Sequence, residues 1–188
     1  MLREMDLKKI ERAVISLLEA IGEDPKREGL ARTPQRIARM YKEIFAGVSV
    51  EPKEKIQIYS TENQDEMIII RDIPFYSMCE HHLLPFSGKV SIAYIPNNNQ
   101  ITGFSNLVEV VELYSKRPQL QERMTTQIAE SIMEVLKPKG VLVVVKARHM
   151  CLEMRGVKKP EAKTVTSAMR GILRQTPTRM EAFSLIGG

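Results

Sequence analysis

Val141-Leu142-Val143-Val144-Val145, continuing through Lys146-Ala147-Arg148 to His149-Met150-Cys151, is the stretch that decides the fold. Five aliphatic residues in succession predict the strongest strand in the chain, and it delivers a histidine and a cysteine. Upstream, Leu120, Met124, Ile128, Ile132 and Leu136 recur every four residues and predict a helix from about 119 to 136, stopped by Lys137-Pro138-Lys139-Gly140. Downstream, 164–173 reads as a last strand and 177–186 as a terminal helix. A helix from Ser105 to Lys116, with Ser105 as N-cap, precedes Pro118, which interrupts. Before it, 66–76 with Met67-Ile68-Ile69-Ile70 and the alternating 88–95 read as two strands, the second ending in the turn Pro96-Asn97-Asn98-Asn99. The order ββααββ, two hairpin-like strand pairs around a helix pair, implies an α+β fold with an antiparallel sheet.

The first 50 residues have a different period. Ile10, Val14, Leu17, Leu18 and Ile21 place an apolar stripe on a helix over 5–22, ended by Gly22 and Pro25. Thr33-Pro34 starts a second helix, threonine as N-cap and proline at the first position, with Ile37, Met40, Tyr41, Ile44 and Phe45 as its stripe. Arg36 and Arg39 share another face of that helix. Two units are therefore expected: a helical extension over 1–50 and a sheet domain over 51–188. Long apolar strands such as 141–145 make exposed sheet edges hazardous, so assembly into a ring is expected to cover them.

The chain has only two cysteines and three histidines, and all five fall in Ser77-Met78-Cys79-Glu80-His81-His82-Leu83-Leu84-Pro85 and His149-Met150-Cys151. Cys79 and His82 are close enough for one turn to aim thiolate and imidazole at one ion, and Cys151 offers a third ligand. Zinc accepts mixed sulfur and nitrogen donors, and three protein ligands leave a tetrahedral position for water, whose proton the metal makes easier to lose. His81 and His149 then remain as groups that exchange protons near neutral pH. If 149–151 is extended, His149 points to the same side as Cys151. Three other readings stay open: a Cys79–Cys151 disulfide, two buried thiols, and a closed structural zinc site with a spare histidine as fourth ligand.

Composition narrows the class. At 188 residues the chain can bury a substantial core, and 43% apolar with 27% charged residues is ordinary for a globular protein. No run is long enough to span a bilayer and no signal-peptide core opens the chain, so a cytoplasmic, reducing setting is the expectation. The net charge of +5 is interspersed with acidic residues, and tryptophan is absent. That pattern suits a small polyanionic substrate better than nucleic acid, and no membrane partner is expected. Neither a P-loop nor a Rossmann glycine fingerprint is present.

Over nearly all of residues 5–186 the chain resembles the GTP cyclohydrolase I family. The resemblance is carried by Arg32-Thr-Pro-Gln-Arg36, Ser77-Met-Cys-Glu-His-His-Leu83, Arg117-Pro-Gln-Leu-Gln-Glu-Arg123, His149-Met-Cys151, Met154-Arg-Gly-Val157 and Lys163-Thr-Val-Thr-Ser-Ala-Met-Arg-Gly171. It implies the tunnelling fold, a homodecamer of two stacked pentamers with sites between subunits, and zinc-dependent opening of the guanine imidazole ring of GTP, yielding formate and 7,8-dihydroneopterin triphosphate. By the same resemblance Cys79, His82 and Cys151 are the Zn²⁺ ligands, and His149 and His81 the proton-transfer pair. Gln121 and Glu122 hold the guanine edge, Ser105 lies near the ribose, and Arg155, Arg36 and Arg39 meet the phosphates.

One motif departs. Where the family reads Gly-Leu-Ser-Lys-Leu-Ala-Arg, this chain has Gly103-Phe-Ser-Asn-Leu-Val-Glu109, with Asn106 and Glu109 in place of a lysine and an arginine that help bind triphosphate. A related purine nucleotide, or one with fewer phosphates, is the alternative substrate this implies. A zinc-containing, non-catalytic assembly protein is a second alternative, against which His81, His149 and Glu122 argue. A fold relative that reduces a nitrile on a deazapurine ranks last, because that chemistry uses a cysteine nucleophile and no such zinc trio.

Overall fold

The computed structural model describes residues 4–187. Two helices, α1 (Leu7–Ala20) and α2 (Thr33–Ile44), pack on each other, followed by two 3-10 turns, Ala46–Ser49 and Pro52–Lys55. Then come β1 (Tyr59–Ser60), β2 (Ile68–Cys79), β3 (Pro85–Ile95), β4 (Gln100–Ile101), α3 (Phe104–Ser115), β5 (Pro118–Gln119) and α4 (Gln121–Leu136). The chain closes with β6 (Gly140–His149), the one-turn α5 (Met150–Glu153), β7 (Thr164–Gly171), a 3-10 turn at Ile172–Arg174 and α6 (Thr176–Gly187). The main sheet has the order β5-β2-β3-β6-β7, and β1 pairs with β4 separately. All neighbours in the main sheet are antiparallel except β5, which adds a short parallel rung, Met78 to Pro118 and Cys79 to Gln119.

The unbroken aliphatic run of β6 follows from its place in the middle of this sheet. Val141, Val143 and Val145 enter a core with Leu107, Val110 and Val111 of α3 and Met124, Ile128, Ile132 and Leu136 of α4. Leu142 and Val144 enter a second core with Leu173 and with Ala182 and Ile186 of α6. A strand covered on both faces has no polar side to alternate with. Past Val145 the second cover ends: Lys146 and Arg148 are exposed and Ala147 is buried, so His149 inherits the face that looks toward α4. On β2, Ile73, Phe75, Ser77 and Cys79 are the buried alternate positions, so Cys79 faces the same helix-covered side.

Several local expectations change. Gly103, not Ser105, precedes α3, and Ser105 is already helical. Arg32 occupies the N-cap of α2, with Thr33 and Pro34 inside the helix. Pro118 does more than interrupt: it belongs to β5, which fills a sheet edge, and α4 starts only at Gln121. The two strands around the metal loop extend to Cys79 and from Pro85, which leaves a tight turn between them. The edge hazard also moves, because β6 lies inside the sheet and the open edges belong to β7, where Val165 is exposed, and to the part of β2 before Met78, which β5 does not reach. On α1, Val14 is buried but Leu17 and Ile21 remain exposed, as does Met40 of α2. Gly47 lets the end of α2 dock on α3: a Cβ there would lie 2.0 Å from the Leu113 carbonyl oxygen.

Candidate active site

Hydrogen bonding shapes the turn between β2 and β3 around Cys79. The Cys79 N–H donates to the Leu84 carbonyl (2.9 Å), while the Leu83 N–H returns to the Cys79 carbonyl (2.8 Å), with Leu83 at φ 50°. Glu80 is tied from the other side, its N–H donating to Gln119 O (3.0 Å) and its carboxylate gripped by both terminal nitrogens of Arg123 on α4. That ion pair holds the Glu80 carboxyl below the usual glutamate range, chiefly through the Arg123 hydrogen bond.

Cys79, His82 and Cys151 converge, their ligand atoms all within 4.8 Å of one another. Cys79 Sγ lies 3.9 Å from His82 Nδ1, and both cysteines are free thiols, which removes the disulfide reading. A tetrahedral zinc with Zn–S of about 2.3 Å and Zn–N of about 2.0 Å separates its ligands by roughly 3.5 to 3.8 Å, so the cluster needs only small adjustments to hold one. Burial, then the charge and hydrogen bond of Cys79, push the Cys151 thiol up from its ordinary value. A thiol held protonated in this way is what a divalent cation would relieve. No fourth histidine, cysteine or carboxylate joins this group among the described residues.

His149 ends β6, and Met150 begins a helical turn, so the extended 149–151 geometry does not occur; Cys151 reaches the cluster from α5 instead. The His149 ring stacks on Phe86, its cross-strand partner, and its Nε2 lies 2.7 Å from Gln121 Oε1. Burial lowers its pKa, opposed by the nearby carboxylates Glu122 and Glu153. Glu122, in the first turn of α4, is exposed. Gln121 is not: it is 1% exposed, its Nε2 bonded to Val145 O, Thr164 O and Thr166 Oγ1. His81 stands exposed on the turn with its ring 6.2 Å from that of His82. Arg155 donates from Nη1 to His82 Nε2 at 2.9 Å.

Arg36, Arg39 and Ser105 are exposed on α2 and α3, and no hydrogen bond or ion pair among the described residues ties their side chains to the cysteine–histidine group. Glu109 pairs with Lys55 at 3.2 Å, and the Asn106 side chain donates to the Lys55 carbonyl. Sequence reasoning missed Phe86, Thr125 and Thr166. The signal for Phe86 is the strand register that sets it opposite His149, and that is not visible before the hairpin ends are known.

The profile of the GTP cyclohydrolase I family matches residues 10–187. The chain belongs to that family. Relatives named GTP cyclohydrolase 1 include those of Carboxydothermus hydrogenoformans, 61% identical over 97% of this chain and 96% of that one, and of Bacillus subtilis, 57% identical over 92% and 91%. The Clostridioides difficile relative is 56% identical over 98% of both chains. Among solved structures, the apo form of the archaeosine synthase QueF-Like aligns with a TM-score of 0.46 at 20% identity, over 56% of this chain and 93% of that chain. The structure itself has the expected α+β order ββααββ, with the sheet's helix-covered face leading into the site. Among the described residues, no helix is long and apolar enough to cross a membrane.

Proposed function

We infer that this site performs the chemistry of its family: the chain is a hydrolase, a GTP cyclohydrolase I, which opens the guanine imidazole ring of GTP and releases formate. The observation that carries this reading is the convergence of Cys79, His82 and Cys151 from two distant segments, with His149 between Phe86 and Gln121 on the adjoining strand end. The ion assigned to the three ligands is Zn²⁺, on the softness of two thiolates and one imidazole. Bound there, zinc supplies the Lewis acidity that makes a hydrolytic water available near neutral pH.

The chain's own residues do the rest. His149 gives a proton to N7 of the purine as C8 is attacked, and exposed His81 serves as second proton carrier. Glu122 accepts N1–H and the 2-amino group, a task a carboxylate performs with two acceptor oxygens. Arg155, Arg36 and Arg39 take the phosphates, with Ser105 beside the ribose. Because the last three stand apart from the metal ligands within one chain, the complete site is assigned to the junction of several copies. A ring-forming homodecamer would also cover the free edge of β7 and the exposed Met180, Phe183 and Leu185 of α6. Residues 1–50 act as a helical extension to a catalytic domain over 51–188, and the reaction takes place in the cytoplasm. Formate release from GTP, compared with a His149→Ala variant and with metal-stripped protein, tests the activity. Equal release from all three would sink it.

A second reading concerns the substrate tail. The Lys55–Glu109 ion pair and the anchored Asn106 leave this segment of α3 without an unpaired cation. A carboxylate about 4 Å from a phosphate repels it by roughly 1 to 4 kcal/mol, depending on screening. The ring-opening machinery is thus paired with a tail pocket that discriminates less in favour of three phosphates, and assays with GTP, GDP, GMP and guanosine decide its range.

A further inference from the structure

The hydrogens around Gln121 can be assigned from chemistry alone. Amide orientation is ordinarily ambiguous, because oxygen and nitrogen look alike. Here one end of the Gln121 side chain faces two backbone carbonyls, Val145 O at 3.1 Å and Thr164 O at 3.2 Å. Carbonyls only accept, so that end is the NH₂ group. A hydroxyl circuit agrees: Thr125 Oγ1 donates to the Gln121 backbone carbonyl (2.7 Å), so its single proton is committed. In the 2.7 Å bond between Thr125 and Thr166, Thr166 must therefore donate. Its oxygen is left to accept from Gln121 Nε2 at 3.1 Å. The two amide protons are shared among these three acceptors, all of them on the nitrogen side, and the remaining end of the amide, Oε1, presents only lone pairs to His149 Nε2 at 2.7 Å.

We propose that Gln121 is a positioning residue that fixes His149 as the Nε2–H tautomer, so that Nδ1 is the ring nitrogen that exchanges a proton with substrate. The catalytic half of this statement rests on reading His149 as the proton carrier. The Nε2–H bond stays with Gln121 throughout; the proton given to N7 leaves from Nδ1, and the electron pair of that N–H bond remains on the ring. Stacking on Phe86, with planes 3° apart, removes the remaining freedom of ring tilt. Phe86, Gln121, Thr125 and Thr166 come from β3, α4 and β7, so one imidazole is held by three elements of the fold. Gln121, almost fully buried and with both ends of its amide engaged, acts on the reaction through His149 and not by touching the guanine.

The test is spectroscopic. The full-length metal-loaded protein, grown with isotopically labelled histidine, contains three rings, and His149→Ala identifies the signals of the third. At about pH 8.5, two units above the ordinary imidazole value of about 6.5, the neutral ring should show hydrogen on Nε2 and none on Nδ1. Gln121→Leu, which removes the acceptor, should scramble the tautomers and lower kcat about ten- to a hundredfold with KM little changed. Hydrogen on Nδ1 in the unaltered protein overturns the proposal without requiring any variant to fold, and so does an unchanged kcat in a folded Gln121→Leu protein. Full activity in His149→Ala overturns the proton-carrier reading instead, and leaves the tautomer assignment to stand on its spectrum.

Discussion

The ring of His149 lies flat on that of Phe86, centroids 4.6 Å apart and planes inclined by 3°. Phe86 is 1% exposed and belongs to the main core, so it is both a packing residue and the floor of the candidate site. Phe86→Leu should separate the two roles. Losing the aromatic face at roughly conserved volume is expected to cost about 1 to 2 kcal/mol in stability. Formate release should fall about tenfold or more, because the imidazole regains freedom to tilt. Urea unfolding and steady-state assays on the same preparation check this; parallel loss of both, with kcat per folded molecule unchanged, would return Phe86 to the core alone.

Acid should loosen the metal turn before the rest of the fold. Glu80 has its carboxyl lowered by Arg123, which places more protons on the unfolded than on the folded chain at low pH. The associated stability is present above the unfolded glutamate value of about 4.3 and disappears as pH falls through the lower folded value. Glu80→Gln should flatten stability against pH in that window, by removing the contribution present above about pH 5 and leaving the acid end, where the parent has already lost it, nearly unchanged. Chemical unfolding at several pH values gives the comparison. A variant as acid-sensitive as the parent would remove Glu80 from the account.

Metal uptake should release protons. Cys151 has its thiol raised by burial and by Cys79, yet a thiolate is needed to bind the ion. Apparent affinity is therefore expected to rise with pH across the neutral range and to level off only where the free thiols ionise. Titration calorimetry in buffers of different ionisation enthalpy should give about two protons released per metal. Cys79→Ser and Cys151→Ser should each weaken binding by a hundredfold or more, on the order of 3 kcal/mol. Uptake independent of pH would exclude these thiols as ligands.

How far the sequence could be read depends on which forces are local. The β6 run, the four-residue apolar spacing of α4 and the crowding of cysteine and histidine into two stretches are local patterns, and each emerged as expected. The caps of α2 and α3 did not: Arg32 and Gly103 precede the helices without a side-chain cap bond, and the threonine and serine that usually cap lie inside them. β5 is two residues long and exists only because β2 offers an edge, so no propensity could announce it. Gln121 reads like an exposed residue of the first helical turn beside Glu122. Only the register of β6 and β7 reveals that Val145, Thr164 and Thr166 enclose it.

The last prediction concerns the tail. In Glu109→Arg combined with Asn106→Lys, the local charge changes by three, from −1 to +2, and Lys55 loses the carboxylate it meets at 3.2 Å. Two added cations within several ångströms of a polyphosphate, partly screened by solvent, are worth about 1 to 3 kcal/mol. The ratio of kcat/KM for GTP over GMP should therefore rise about tenfold or more, mainly through KM, since phosphate contacts remote from C8 bind ground and transition states alike. Added salt should narrow the gap between variant and parent, because an exposed electrostatic gain is screened. If the parent already prefers GTP over GMP as strongly as the double variant, then Arg155, Arg36 and Arg39 hold the phosphates unaided, and Asn106 with Glu109 has no part in choosing the substrate.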